Sequence, residues 1–182
     1  MPPWLLIVLG LAGTMFAVKM VYVLSTALVL PVTRGALYVS TQPERIAAAL
    51  DAAPMTSNQV LVDLGCGDGR VLRAARRRYG VRATGYELNP MAWFRARLST
   101  LGDRNIRVRR RNFFREDLSA ADTVFCYLYP DVMADLAAKL RRELRPGTRV
   151  LSFNFPLPGI PPEQVIRPEG TVWNDPIYLY RL

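Results

Sequence analysis

Three glycines at alternate positions, Gly65, Gly67 and Gly69, follow an acid, Asp63, at the end of an apolar run from Val60 to Leu64. A second acid, Glu87, ends the next apolar stretch, about twenty residues after the glycines. Glycines at such a turn let backbone N–H groups come close to a ligand at a helix N-terminus. A carboxylate at the end of the following strand can accept from ribose hydroxyls. A dinucleotide is a poor match, because G-x-G-x-x-G spacing would need glycine where Arg70 stands. Asp63 and Asp68 beside the turn would repel a phosphate and attract an ammonium, directly or through water.

The pattern Asp63-x-Gly65-x-Gly67-x-Gly69 resembles motif I of the class I S-adenosylmethionine (SAM) methyltransferases. SAM lacks a pyrophosphate and carries a cationic amino acid tail. The cofactor-binding candidates are Asp63, Gly65, Gly67, Asp68, Gly69 and Glu87, with Leu88 and Asn89 directly after the acid. Asn112 and Phe113 join them, because ligands of an open α/β sheet bind beyond the strand C-termini. There Asn112 could meet an adenine and Phe113 could stack on it. The plainer alternatives are a glycine loop that only turns the chain, and Phe113 and Phe114 as core.

These residues need an alternating α/β framework. The first strand covers residues 60–64, a helix 70–79, the second strand 82–87 and a helix 91–101 closed by Gly102. A third strand covers 106–113, with Arg107, Arg109 and Arg111 alternating along it. A fourth covers 123–128 and runs into Tyr127-Leu128-Tyr129-Pro130, followed by a helix over 131–144. The fifth, 149–155, ends in Asn154-Phe155-Pro156, and short strands are expected at 164–166 and 176–181. Upstream, a helix over 44–53 has Thr41 as its N-cap and Pro43 in its first turn. Trp173 and Tyr178 either reach the site rim or fill core, and Tyr178 reads better as core.

Composition narrows the chemistry. The chain has no His, which excludes His-dependent triads and most zinc sites, and no metal is expected. Its two cysteines, Cys66 and Cys126, lie at strand ends and suit a reduced compartment. The charge of +9 is nearly all arginine, with Lys19 and Lys139 the only lysines. Genome composition explains such a bias first; an anionic membrane or nucleic acid would also suit it.

From Trp4 to Val32 the only charge is Lys19. That run is long enough to cross a bilayer, where about twenty apolar residues suffice. Trp4 would mark one interface, and Pro31 with Arg34 the other. Arg34 and Arg45 follow the segment, so the positive-inside tendency puts the domain in the cytoplasm. A mid-membrane lysine costs roughly 2.5–3.5 kcal/mol, which snorkelling or a partner helix relieves. A signal peptide is disfavoured by the lack of a basic n-region, and a core helix is the other alternative. The expected division is residues 1–33 as a hydrophobic anchor and 34–182 as one α/β domain, entered through a connector at 34–40.

With the motifs placed, the chain resembles the small seven-β-strand protein-lysine methyltransferases. These include archaeal broad-specificity enzymes and the membrane-attached mitochondrial enzymes that modify the ATP synthase c-ring protein and the adenine nucleotide translocase. The stretches carrying the resemblance are Val62-Asp-Leu-Gly-Cys-Gly-Asp-Gly-Arg70, Gly85-Tyr-Glu-Leu-Asn-Pro90, Asn112-Phe113 with Asp117-Leu118, Val124-Phe-Cys-Tyr-Leu-Tyr-Pro130, and Leu140 to Pro158. Together they lie within residues 38–173.

The resemblance implies a Rossmann-like class I methyltransferase sheet with helices on both faces, behind a transmembrane helix. It implies methyl transfer from SAM to lysine side chains of a protein substrate, membrane proteins included. In class I methyltransferases the end of the fourth strand faces the methyl group. Tyr127 and Tyr129 are therefore the candidates for orienting the amine, with Asn154 or Phe155 on the facing strand. Two other functions remain open: methylation of a small molecule or lipid headgroup, and a non-catalytic module binding SAM or nucleic acid through its arginines. Nucleic acid is the less favoured partner, since alternating arginines on a strand usually face solvent.

Overall fold

A computed structural model describes residues 2–29, 40–168 and 175–182. The connector at 34–39, the interface markers Pro31 and Arg34, and Trp173 lie outside the described residues. Five helices and seven strands are described. They are α1 (Pro3–Val29), α2 (Pro43–Ala52), β1 (Val60–Leu64), α3 (Arg70–Tyr79), β2 (Arg82–Tyr86), α4 (Pro90–Ser99), β3 (Ile106–Arg109), β4 (Thr123–Cys126), α5 (Met133–Glu143), β5 (Arg149–Phe153), β6 (Gln164–Ile166) and β7 (Ile177–Arg181).

The strands form one sheet in the order β3-β2-β1-β4-β5-β7-β6. β1 to β5 are parallel, and β7 runs antiparallel between β5 and β6. Order reverses at β1, which pairs with β2 on one side and β4 on the other. In such sheets the crevice at the reversal is where ligands bind.

Alternation along each strand separates two cores. Leu61, Ala83, Phe125 and Leu151 pack with α2, α3 and Ala96 of α4. Val62, Leu64, Val124 and Val150 pack with α5 through Leu136, Ala137 and Leu140. The strands are apolar on both faces because helices cover both.

Several elements stop earlier than the sequence suggests, for local reasons. β3 ends at Arg109, opposite Tyr86 at the end of β2. Asn112 lies beyond it, and its side chain caps a 3-10 turn, Phe113–Arg115, by accepting from Phe114 N–H at 3.0 Å. β4 ends at Cys126 and β5 at Phe153, where Asn154 takes φ 66° and leaves extended geometry. Pro130–Val132 forms a separate 3-10 turn ahead of α5. α4 ends at Ser99, and Gly102 sits in the turn beyond. β2 stops at Tyr86, one residue before Glu87.

Thr41 is not the cap of α2. Gln42 holds that position without a side-chain bond, and Pro43 begins the helix. Thr41 instead gives its carbonyl to Arg70 Nη1 at 2.8 Å. The short strand β6 matches its expected span, β7 starts at Ile177, and Tyr178 packs partly buried against the α5-side core.

The stretch Pro3–Leu24 of α1 has a mean hydropathy of 2.0, and none of it is buried against the domain. It is long and apolar enough to cross a membrane, and it is not a core helix. Within this helix Thr14 returns its hydroxyl to the Gly10 carbonyl at 2.8 Å.

Candidate active site

β1 delivers Asp63 and then the glycine turn to the carboxyl edge of the sheet. Gly65, Gly67 and Gly69 take φ values of 80°, 55° and 76°, a left-handed region that side chains disfavour. Gly65 and Cys66 N–H groups both reach the Tyr86 carbonyl, at 2.9 and 3.0 Å, which ties the turn to β2. Gly69 N–H closes on the Cys66 carbonyl at 2.8 Å, and α3 starts at the next residue. Strand β2 can approach so closely because position 85 is glycine. A Cβ there would stand 2.6 Å from Cys66 Sγ and 2.7 Å from Leu72 Cδ1.

Glu87 is clamped across this turn. Its Oε2 accepts from Gly67 N–H and its Oε1 from Asn89 N–H, both at 2.8 Å. Burial pushes its carboxyl above the ordinary range, and the amides of Asn89, Gly67 and Leu88 partly offset that. Each carboxylate oxygen keeps a second lone pair for a further donor. Asn89 caps α4, its Oδ1 accepting from Met91 and Ala92 N–H at 2.9 and 3.1 Å. Leu88 lies between them, half-buried. Phe113 is buried against Phe114, ring centroids 4.5 Å apart, so both rings also serve packing.

Asp63 is 2% exposed, and its Oδ2 has no hydrogen-bond partner. Burial drives its pKa well up, and the Glu87 and Asp68 charges add to that. Asp68 is satisfied differently: Arg70 grips it with Nη2 at 2.8 Å and Nε at 3.0 Å. Burial works against the Asp68 anion, but the Arg70 bonds and charge outweigh it and hold the carboxyl below its ordinary value. An orphaned buried acid with a second acid close by is the setting for a cation. The positively charged tail of SAM fits it, and a phosphate does not. No group of potential metal ligands occurs among the described residues.

The second half of the site adjoins the first through β4. A Cβ on Gly65 would lie 3.2 Å from Leu128 Cδ2, so the glycine turn abuts the Tyr127-Leu128-Tyr129 segment. Tyr127 OH accepts from Asn154 Nδ2 at 3.1 Å. Asn154 Oδ1 accepts from Arg45 Nη2 at 2.6 Å, and its Nδ2 also reaches Asp175 Oδ2 at 3.3 Å. Arg45 is buried, lies 3.7 Å from Asp175 Oδ2, and stacks over Phe153 and Tyr127 at 4.9 and 5.8 Å from the ring centroids. Phe155 turns to the other face and packs in the α5-side core. Tyr129 is 38% exposed and stays outside this network.

Sequence reasoning missed Arg45 and Asp175. It treated Arg45 as a charge flanking the apolar segment, although the residue lies one turn before the inward-facing Ala49 and eight positions before Ala53. Asp175 carried no comparable signal.

Residues 63–164 match the ANTKMT methyltransferase domain family. A protein-lysine N-methyltransferase of Saccharolobus islandicus (strain REY15A) is 35% identical over 148 residues, 79% of this chain and 91% of the relative. A lysine N-methyltransferase of the ATP synthase C-subunit from Homo sapiens is 33% identical over 193 residues, 93% of this chain and 74% of the relative. The crystal structure of an RNA methyltransferase from Salinibacter ruber, in complex with S-adenosyl-L-homocysteine, superposes with a TM-score of 0.73 at 32% identity, covering 79% of this chain and 93% of that one. With the glycine turn, the clamped Glu87 and the orphaned Asp63 in place, the chain belongs to the ANTKMT methyltransferase domain family and is an S-adenosylmethionine-dependent methyltransferase.

Proposed function

We propose that the chain is a membrane-anchored protein-lysine methyltransferase, with residues 1–33 as anchor and 34–182 as the catalytic domain on the cytoplasmic side. The observation that carries the cofactor half is the buried, unpartnered Oδ2 of Asp63 beside the doubly held Glu87. The lysine acceptor is supported by the names of the relatives. The anchor is supported by the uncovered apolar length of α1, and the orientation by the arginines that follow it.

SAM, when bound, supplies a methyl group on a sulfonium for in-line displacement by an amine. Asp63 holds the cofactor's ammonium, with Asp68 next to it shaping the loop through Arg70. Glu87 accepts from the ribose hydroxyls. Gly65, Gly67 and Gly69 admit close backbone approach, and Leu88, Asn89, Asn112 and Phe113 flank the adenosine. On the acceptor side Tyr127 and Asn154 orient the incoming amine and Tyr129 lines its approach. The lysine must arrive as the free amine, which at neutral pH costs roughly 4 kcal/mol. Desolvation between aromatic walls lowers that cost by disfavouring the ammonium. Orientation and exclusion of water supply the rest of the rate.

The experiment is transfer of tritiated methyl from SAM to host membranes, resolved by gel and by organic and RNA extraction. A discrete protein band, lost in Glu87→Ala, is expected. Label in the organic extract would make the acceptor a lipid headgroup, and label in RNA would make it a nucleic acid.

A further inference from the structure

Helix α4 presents an apolar stripe that nothing in the domain covers. Phe94, Leu98 and Leu101 are 53%, 60% and 79% exposed. Phe94 and Leu98, four residues apart, lie on one line of the helix surface, and Leu101 follows in the turn two residues beyond the end of α4. Ala92 and Ala96, on the opposite side, are the buried residues of α4. At 100° per residue, Arg95 and Arg97 flank the stripe on its two sides. Both are exposed, as is Arg104 beyond the helix, and the three form no ion pair among the described residues.

The apolar helix α1 packs on this same element. Tyr22 closes a small recess with Asp68, Asn89, Ala92 and Arg95. From Trp4 to Tyr22 the helix rises about 27 Å, close to the hydrocarbon thickness of about 30 Å. With Trp4 at one interface, Tyr22, near the end of the apolar span Pro3–Leu24, marks the other in place of Pro31 and Arg34. The contact therefore holds α4 at headgroup depth.

We propose that α4 is an interfacial membrane helix. The Phe94, Leu98 and Leu101 stripe seats in the surface of the anionic bilayer that α1 crosses, with Arg95, Arg97 and Arg104 among its phosphates. This rests on the anchoring reading of α1 and adds to it a second, peripheral contact. It fixes the orientation of the domain on the bilayer. Asp68 and Asn89, at the carboxyl edge of the sheet, then open next to the membrane surface. The substrate class this selects is a lysine lying within a few residues of the bilayer in a membrane protein.

The test uses the full chain in vesicles of phosphatidylcholine with and without phosphatidylglycerol. An environment-sensitive fluorophore is attached to Leu98→Cys, and in a second variant to Ala138→Cys on α5, across the sheet. The native cysteines are buried and stay unlabelled. The expected result is severalfold stronger quenching by shallow spin-labelled lipid at position 98 than at 138, strongest with phosphatidylglycerol. Alkaline carbonate extraction scores α1 separately. A carbonate-resistant chain with equal quenching at both positions overturns the α4 contact and leaves the anchor standing. Protection at 98 without quenching assigns the stripe to another protein surface and also overturns it. Release by carbonate removes the anchor and the proposal together. The triple variant Phe94→Ser, Leu98→Ser, Leu101→Ser should lose methylation of a membrane-embedded acceptor severalfold while its SAM affinity is unchanged. Equal methylation by variant and parent counts against the proposal.

Discussion

Arg45 Nη2 donates to Asn154 Oδ1 at 2.6 Å, and through that amide α2 is tied to the Tyr127 hydroxyl. The bond reaches the residue after β5, the one non-glycine position with positive φ among the described residues. Backbone strain of this kind costs of order 1–3 kcal/mol and persists only where surroundings enforce it. Arg45→Ala should release Asn154 and leave Asp175 without its cation. The expected outcome is a loss of roughly 2–3 kcal/mol in stability. Turnover should fall well beyond that, with SAM affinity unchanged. Arg45→Lys keeps the charge but loses the planar fork, so it should restore stability more than turnover. Calorimetry with a kcat and KM series checks both.

Glu87→Gln and Glu87→Ala should differ in kind. Glutamine can still accept one of the two backbone bonds, from Gly67 or Asn89, but presents a donor to the other. Alanine frees both amides. Isothermal titration should show weakened SAM binding in both variants, with alanine also slackening the glycine turn. Hydrogen exchange at Gly67 and Asn89 should rise in the alanine variant first.

The acids at the turn set a pH dependence with a definite sign. The Asp63 and Glu87 carboxyls titrate above their ordinary values in the folded chain, chiefly because burial disfavours the anion. Between the unfolded and folded values the native state binds more protons than the unfolded one. Stability of the cofactor-free protein therefore falls as pH rises through that window. SAM binding needs the anions, so its affinity rises over the same window. Thermal melts with and without SAM should diverge as pH increases. Asp63→Asn should remove most of the divergence, raising the melting temperature of the free protein while weakening the cofactor.

Gly85→Ala should be costly despite adding one methyl group. The new Cβ meets Cys66 Sγ, Leu72 Cδ1 and Cys66 Cβ at 2.6–2.8 Å, where neither the turn nor α3 can withdraw freely. Overpacking of this kind costs about 1–3 kcal/mol. Cofactor affinity should drop with stability, since Cys66 belongs to the glycine turn and Leu72 to the first turn of the helix that follows it.

Both thiols should be silent in the native state. Burial pushes the Cys126 thiol up to about 12, and burial with the nearby Asp63, Glu87 and Asp68 charges pushes Cys66 well up. Disulfide reagents should modify neither until the protein unfolds, so the rate of labelling reads global opening.

Much of the framework was legible because its signals are local. An apolar run followed by alternating glycines and an acid fixes strand, turn and cofactor edge within a short window, and β1 spans the expected Val60–Leu64. Strand ends were read too long wherever residues continued the alternating pattern after pairing had stopped. Arg111 extends the rhythm of β3, but its guanidinium reaches Glu116 in a turn. The cluster around Asn154 was half legible. Tyr127 and Asn154 lie at strand ends, where function is expected. Arg45 and Asp175 are brought in from distant parts of the chain, and their pairing depends on tertiary packing that no local spacing encodes.

Chain order has a consequence during synthesis. The stretch that becomes α1 leaves the ribosome before the domain, and β1 can meet β2 soon after. The other flank of β1 must wait for Thr123–Cys126. Arg45 waits longer, since Asn154 lies 109 positions downstream and Asp175 lies 130. At about 5–20 residues per second that delay is roughly 5–25 s. From the synthesis of Glu87 until Asn154 follows, the nascent chain carries the residues of the glycine turn and its clamp but not the frame for its acceptor. The residues of the cofactor turn are therefore complete well before those of the acceptor frame.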